Sequence, residues 1–121
     1  MITIDDFKKL ELKVARILEV AIHPSADRLY LLKVDLGPVE KKDEATGEVT
    51  KTSEIRELVA GIRPYYQPEE LIGKQIVVLA NLQPAVIRGI TSNGMLMAAK
   101  SGDQLAVITL DRPIPEGGTV S

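Results

Sequence analysis

Cysteine is absent from the 121 residues, and histidine occurs once, at position 23. The first absence excludes a disulfide framework and any thiolate metal site, and it is compatible with a reducing cytosol. The second leaves no imidazole cluster for a metal centre, which usually takes three or four protein ligands. Tryptophan is also missing and aromatics make up only 3%, so the core must come from the Val, Ile, Leu and Ala that dominate a 45% hydrophobic composition. No apolar run approaches the ~20 residues of a helical membrane span. Asp5, Asp6 and Glu11 interrupt the first twenty positions, which speaks against a secretory leader. An excess of positive charge is missing as well: 15 Lys and Arg stand against 17 Asp and Glu, for a net charge of −2. Nucleic-acid binding usually favours a basic domain, so such a function would require the basic residues to collect on one face. The length fits one domain over residues 1–121, and a cytoplasmic location is expected.

Short elements divided by turn residues fill the chain. Residues 3–10, TIDDFKKL, suit a helix with Thr3 as N-cap, Asp6 completing a capping box and Ile2 stapled to Phe7. Residues 11–20 alternate as a first strand whose period slips near Ala15, the mark of a bulge. Residues 29–36 alternate cleanly, with Tyr30, Leu32, Val34 and Leu36 on one face and Leu31, Lys33 and Asp35 on the other. The polar stretch 38–54 reads as an exposed loop or a hairpin extension, and 55–62 as a third strand. Pro68 to Gly73 has the Pro start, acidic first turn and Gly end of a one-to-two-turn helix. Strands follow at 75–82, 95–99 and 104–110, with a Pro- and Gly-rich tail. Five strands with a helix between the third and fourth predict a mainly-β, five-stranded OB-type Greek-key barrel over about 11–99, with a C-terminal extension from 100 to 121.

Catalytic constellations are hard to assemble from these residues. His23 has no second His or Cys to join it, and Asp27 lies four residues away across Pro24, so a structural loop role is the better reading, with Asp27 capping a turn. Ser92-Asn93-Gly94 lacks the glycines of a nucleophile elbow. Glu69 and Glu70 are neighbours on a helix and point apart, and Gly117-Gly118 has no helix after it to make a phosphate loop. No catalytic residue, cofactor or metal is expected. Lys13, Arg16, Lys33, Arg56 and Arg88, in contrast, sit in or beside otherwise apolar strands. Solvated strand charges are the simplest reading of them. In an OB barrel, however, Lys13, Arg16, Lys33 and Arg56 would share the usual ligand face, while the acids fall in the 38–54 stretch and the helices.

The stretches LELKVARILEV, HPSADRLYLLKVDLG, IRELVAGI, YYQPEELIGKQIVVLANL and IRGITSNGM resemble the tRNA-binding domain family. That family includes stand-alone structure-specific tRNA-binding proteins and the C-terminal domain or separate β subunit of methionyl-tRNA synthetases. The resemblance implies a non-catalytic tRNA-binding protein, alone or assisting a methionyl-type synthetase. It implies tRNA contacts at Lys13, Arg16, Lys33, Arg56, Asn81, Arg88, Ser92 and Met95. Lys and Arg would neutralise phosphates, Asn and Ser would bond base edges or 2′-hydroxyls, and Met95 would pack on an unstacked base. Gln83, Ala85 and Val86 stand where the family usually has basic residues, and Ala60 where it has serine. A secretion-related branch of the same fold makes a chaperone-like interaction module the alternative. A homodimer is expected, since the apolar side of helix 3–10 and the two apolar faces of QLAVITL find little room in a completed five-stranded barrel.

Overall fold

A computed structural model describes all residues from Met1 to Ser121. The elements run α1 (Ile4–Phe7), β1 (Leu12–Ile22), β2 (Tyr30–Lys42), β3 (Val49–Ala60), α2 (Pro68–Leu71), β4 (Gln75–Leu79), β5 (Ala85–Ile87), β6 (Ile90–Ser92), β7 (Met95–Leu96), β8 (Ala98–Ser101), β9 (Gln104–Val107) and β10 (Thr119–Val120). The main sheet has the antiparallel order β3-β2-β1-β4-β7. β1 serves two partners: Leu12 to Arg16 pair with β4, and Arg16 to Ile22 pair with β2. This curls the sheet into the expected OB-like barrel with short helices. The bulge in β1 falls between Ile17 and Glu19 rather than at Ala15. The apparent slip at Ala15 has another cause: Leu12, Val14, Ala15 and Ile17 are all buried, so both faces of this segment are apolar.

Fourteen buried residues, among them Ala15, Ile17, Leu32, Val34, Leu58, Ile76 and Val78, fill the barrel. A smaller cluster of Leu12, Val77 and Leu79 lies on the opposite face of β1 and β4, with Phe7, Met97 and Val120 against it. α1 is a single turn with the expected box: Asp6 N–H donates to Thr3 Oγ1 at 3.2 Å, and Thr3 N–H to Asp6 Oδ2 at 3.1 Å. Phe7 packs on the smaller cluster and Ile2 remains exposed, so no staple joins them. The stretch 38–54 takes the hairpin form, with β2 and β3 paired out to Lys42 and Val49.

The C-terminal extension differs most from expectation. QLAVITL is not a lone edge strand: β9 pairs with β8, Val107 belongs to the main core at 7% exposure, and Leu105 packs against that core. Tyr66 fixes the pairing by accepting the Val107 N–H at its hydroxyl, 3.0 Å away, while its own carbonyl accepts Tyr30 O–H at 2.7 Å. The barrel therefore had room for one face of this strand. Beyond it the tail runs back along β1. Gly117 N–H donates to the Val14 carbonyl and Val14 N–H to the Gly118 carbonyl, both within 2.9 Å, and β10 pairs with Leu12 and Lys13. The tail comes so close to β2 that a Cβ on Gly37, at φ +95°, would overlap the Glu116 carbonyl oxygen. Only glycine fits that crossing.

Side chains fasten the strap. Arg16 donates from Nε to Glu116 Oε1 at 2.5 Å and from Nη1 to the Gly73 carbonyl at 2.6 Å. Gln75 Nε2 donates to the Ile114 carbonyl at 2.6 Å, and its Oε1 accepts the Ile114 N–H at 3.2 Å. The Glu116 carboxyl is held below its ordinary value, first by a hydrogen bond from its own backbone and then by the Arg16 guanidinium, against a smaller opposing effect of burial. A carboxylate with a depressed folded-state pKa contributes stability above its unfolded value that is lost as pH falls through the folded value. We expect wild-type thermal stability to drop as pH is lowered below 4.5, the ordinary value of this carboxyl. Glu116→Gln should be less stable near neutrality and show a flatter profile in that acid range, read by melting curves across pH.

Candidate nucleic-acid interface

An open cleft of about 590 Å3 lies between β3 and the base of the β5–β6 hairpin. Glu54, Arg56, Glu57, Leu82, Pro84 and Asn93 line it. Arg56 is set by register. Its cross-strand partner is Val34, a core residue, so Arg56 continues the inward face of β3 one step beyond Leu58. Its guanidinium finds three acceptors there: the Ala80 carbonyl at 2.5 Å, the Asn93 carbonyl at 3.3 Å and Glu54 Oε1 at 2.8 Å. Arg56 therefore joins β3 to the end of β4 and to the turn before β7 while leaving part of its charge at the cleft.

Lys33 points the other way. Its partners across the ladders are Glu19 on β1 and Glu57 on β3, and its Nζ lies 3.4 Å from Glu19 Oε2. Lys33 and Arg56 differ by one step in register, which places them on opposite faces of the β2–β3 ribbon. Lys13 lies on the inward face opposite Val78, and Arg16 is held by the strap. The four cations of β1–β3 thus do not collect in one groove. Alternation shows which residues of one strand share a face; which residues face each other across strands depends on pairing and bulges that a single strand does not reveal.

Three other expected contacts divide differently. Ser92, 4% exposed, accepts the Val59 N–H at 3.0 Å and donates to the Gly94 carbonyl at 2.9 Å. Asn93 N–H donates to the Glu57 carbonyl at 2.9 Å, so residues 92 and 93 together close the free edge of β3. Asn81 accepts the Glu11 N–H at 2.9 Å and donates to the Lys9 carbonyl at 2.7 Å, pinning the entry to β1. Met95, in contrast, is 44% exposed on β7 and available to a ligand.

His23 is a docking residue at 2% exposure. Its Nδ1 accepts the Ser25 N–H at 3.1 Å, which leaves the proton on Nε2, 3.2 Å from the Ile87 carbonyl. The turn is therefore capped by His23 and not by Asp27. This ties the β1–β2 loop to the β5–β6 hairpin, at whose tip Arg88 donates from Nη2 to the Ser25 carbonyl at 3.0 Å. Sequence reasoning missed Glu54, Glu57 and Asn93 as cleft residues. In the sequence Asn93 shows only as part of a turn, Glu54 as the end of the polar 38–54 stretch and Glu57 as a strand charge.

The family model described as a tRNA binding domain matches residues 12–119. The chain belongs to the tRNA binding domain family. It is 48% identical to the methionine–tRNA ligase of Thermotoga maritima over 99% of its own length and 17% of the ligase. Across the methionine–tRNA ligases compared, it spans 13% to 17% of their length. Among solved structures, a MetRS-related protein from Pyrococcus horikoshii superposes with a TM-score of 0.81 at 28% identity, covering 100% of this chain and 98% of that one. A CsaA chaperone protein from Picrophilus torridus gives 0.79 at 29% identity, covering 100% of both. Within the matched span, His23 docks a loop, and Ser92 and Gly94 close the barrel.

Lys33→Glu would set three carboxylates side by side on adjacent strands. Like charges directly opposite cost up to about 1 kcal/mol per pair, so denaturant unfolding should show a loss of roughly 1–2 kcal/mol. Lys33→Ala should lose less than half of that.

Proposed function

We propose that this chain is a non-catalytic tRNA-binding module that recognises tRNA shape, alone or beside a methionyl-type aminoacyl-tRNA synthetase in the cytoplasm. The observation that carries the reading is the family match over residues 12–119, joined to 48% identity with a methionine–tRNA ligase along nearly the whole chain. We divide the eight expected residues into two groups. Lys13, Lys33, Arg56, Arg88 and Met95 keep surface for a ligand. Asn81 and Ser92 position backbone through their side-chain bonds, and Arg16 is tied to the strap and to Gly73 through Nε and Nη1. Arg56 is bonded at all three guanidinium nitrogens and stays in the first group because it lines the cleft. The first group holds four cations, a number that supports shallow electrostatics. Filter binding of tRNA across salt should give a log–log slope of roughly −2 to −4 at ~0.7–0.9 per phosphate. A chain that retains no tRNA even at low salt would sink this reading.

A second reading is a chaperone-like interaction module. The likeness to the Picrophilus torridus chaperone and the two glutamates lining the cleft favour it. RNA co-purifying at low salt, read by absorbance ratio, separates the two.

We further propose a homodimer. Ile4 and Leu10 are exposed on and after α1, and Ile108 is exposed where its N–H meets the Met97 carbonyl. All three neighbour the partly buried Phe7 and Met97, which pack against the smaller cluster. Light scattering at micromolar concentration should give a dimer mass. The variant that tests the seam is Ile108→Asp, which should be monomeric and folded; Val107→Asp would disrupt the core instead. A monomeric wild type, or a dimeric Ile108→Asp, contradicts this seam.

A further inference from the structure

The β5–β6 hairpin frames the cleft with its base and carries Arg88 at its tip. Base and tip are three residues apart on each strand, about 10 Å at ~3.3 Å per residue. At the tip, Arg88 and Gly89 form a two-residue turn with both φ values positive, +52° and +86°. Such turns favour Asn-Gly, because most side chains are strained at positive φ. An arginine is held in that conformation here by two bonds with the β1–β2 loop: Arg88 Nη2 donates to the Ser25 carbonyl, and Ser25 Oγ donates to the Arg88 carbonyl at 3.3 Å. The result is a second cleft of about 350 Å3, lined by Ala26, Asp27, Arg28, Leu29 and Arg88. Both arginines are exposed, and neither forms an ion pair. Arg28 makes no side-chain hydrogen bond at all, and Arg88 uses only Nη2. Asp27 is the one acid on the lining, so the site keeps a positive excess.

We propose that Arg28 and Arg88 form a phosphate-binding subsite for a nucleic-acid strand whose bases lie at the Arg56 cleft. This rests on the tRNA-binding reading and extends it to Arg28, which joins the already expected Arg88 in one subsite outside the barrel mouth. The ligand is a backbone phosphodiester, gripped by two guanidinium forks from separate loops. The span from hairpin base to tip matches a step of one to two nucleotides along an extended strand. The His23 and Ser25 bonds hold the two loops at fixed separation, so the subsite is assembled before RNA arrives.

The test is tRNA binding by wild type, Arg28→Gln, Arg88→Asn and the double variant, with melting curves for each. Arg88→Asn is informative because asparagine suits the positive φ: the protein should melt no earlier than wild type while the guanidinium is gone. Each single variant should bind tRNA about three- to tenfold more weakly at low salt, with a salt slope shallower by ~0.7–0.9 for each phosphate no longer neutralised. The double variant should lose little beyond either single one, since both arginines grip one phosphate. Wild-type affinity and slope in folded Arg28→Gln and Arg88→Asn would overturn the subsite while leaving the tRNA reading intact. No tRNA binding by wild type would overturn both.

Discussion

Barrel closure depends on one hydroxyl. β3 would otherwise end the sheet as an open edge, and no regular ladder joins it to β7. Ser92 bridges the gap by accepting from Val59 N–H and donating to the Gly94 carbonyl, and Asn93 N–H completes it at Glu57. A buried donor left without a partner costs about 1–3 kcal/mol, so these few bonds decide whether the inward faces of β3 and β4 meet. Gly94, at φ +133°, is required at the same crossing: a Cβ would sit 3.1 Å from the Leu79 carbonyl oxygen and 3.2 Å from Leu58 and Val78 side-chain atoms. Once the edge is closed, Arg56 finds the Asn93 and Ala80 carbonyls within reach, and the main cleft takes its outline.

The C-terminal strap solves the corresponding problem on β1. That strand changes partner at Arg16, which leaves the edge of its first half bare. Residues 117–120 cover it, and the Arg16–Glu116 pair with the Gln75–Ile114 bonds fixes the strap against β4. Charges and amides inside an apolar fold thus serve to connect elements. Of the residues we propose as ligand-facing, Arg56 lies on β3 and Arg88 at the tip of the β5–β6 hairpin.

Much of this fold was legible in the sequence. Clean alternation in 29–36 and the helical turns beginning at Thr3 and Pro68 each correspond to an observed element. Where the sequence fell short, the cause was non-local. Arg16 and Glu116 are 100 residues apart and nothing in either neighbourhood announces the pair. The two apolar faces of QLAVITL suggested a strand awaiting a partner, yet one face supplies Val107 to the core because the barrel is open toward β8 and β9. Lys33 and Arg56 look equivalent as strand cations, but a one-step difference in register sends them to opposite faces. For Ser92 and Asn81 the residue types were recognisable and the engagement of their atoms was not, since that requires knowing which backbone groups the fold leaves unpaired.

The central claim is that ligand binding runs along β3 and the β5–β6 hairpin while the strap side is structural. Amide hydrogen exchange with and without tRNA, read by mass spectrometry, tests it most directly. The account predicts added protection within residues 54–58 and 82–94, with residues 109–121 unchanged. Protection confined to the strap, or none in the hairpin, would contradict it.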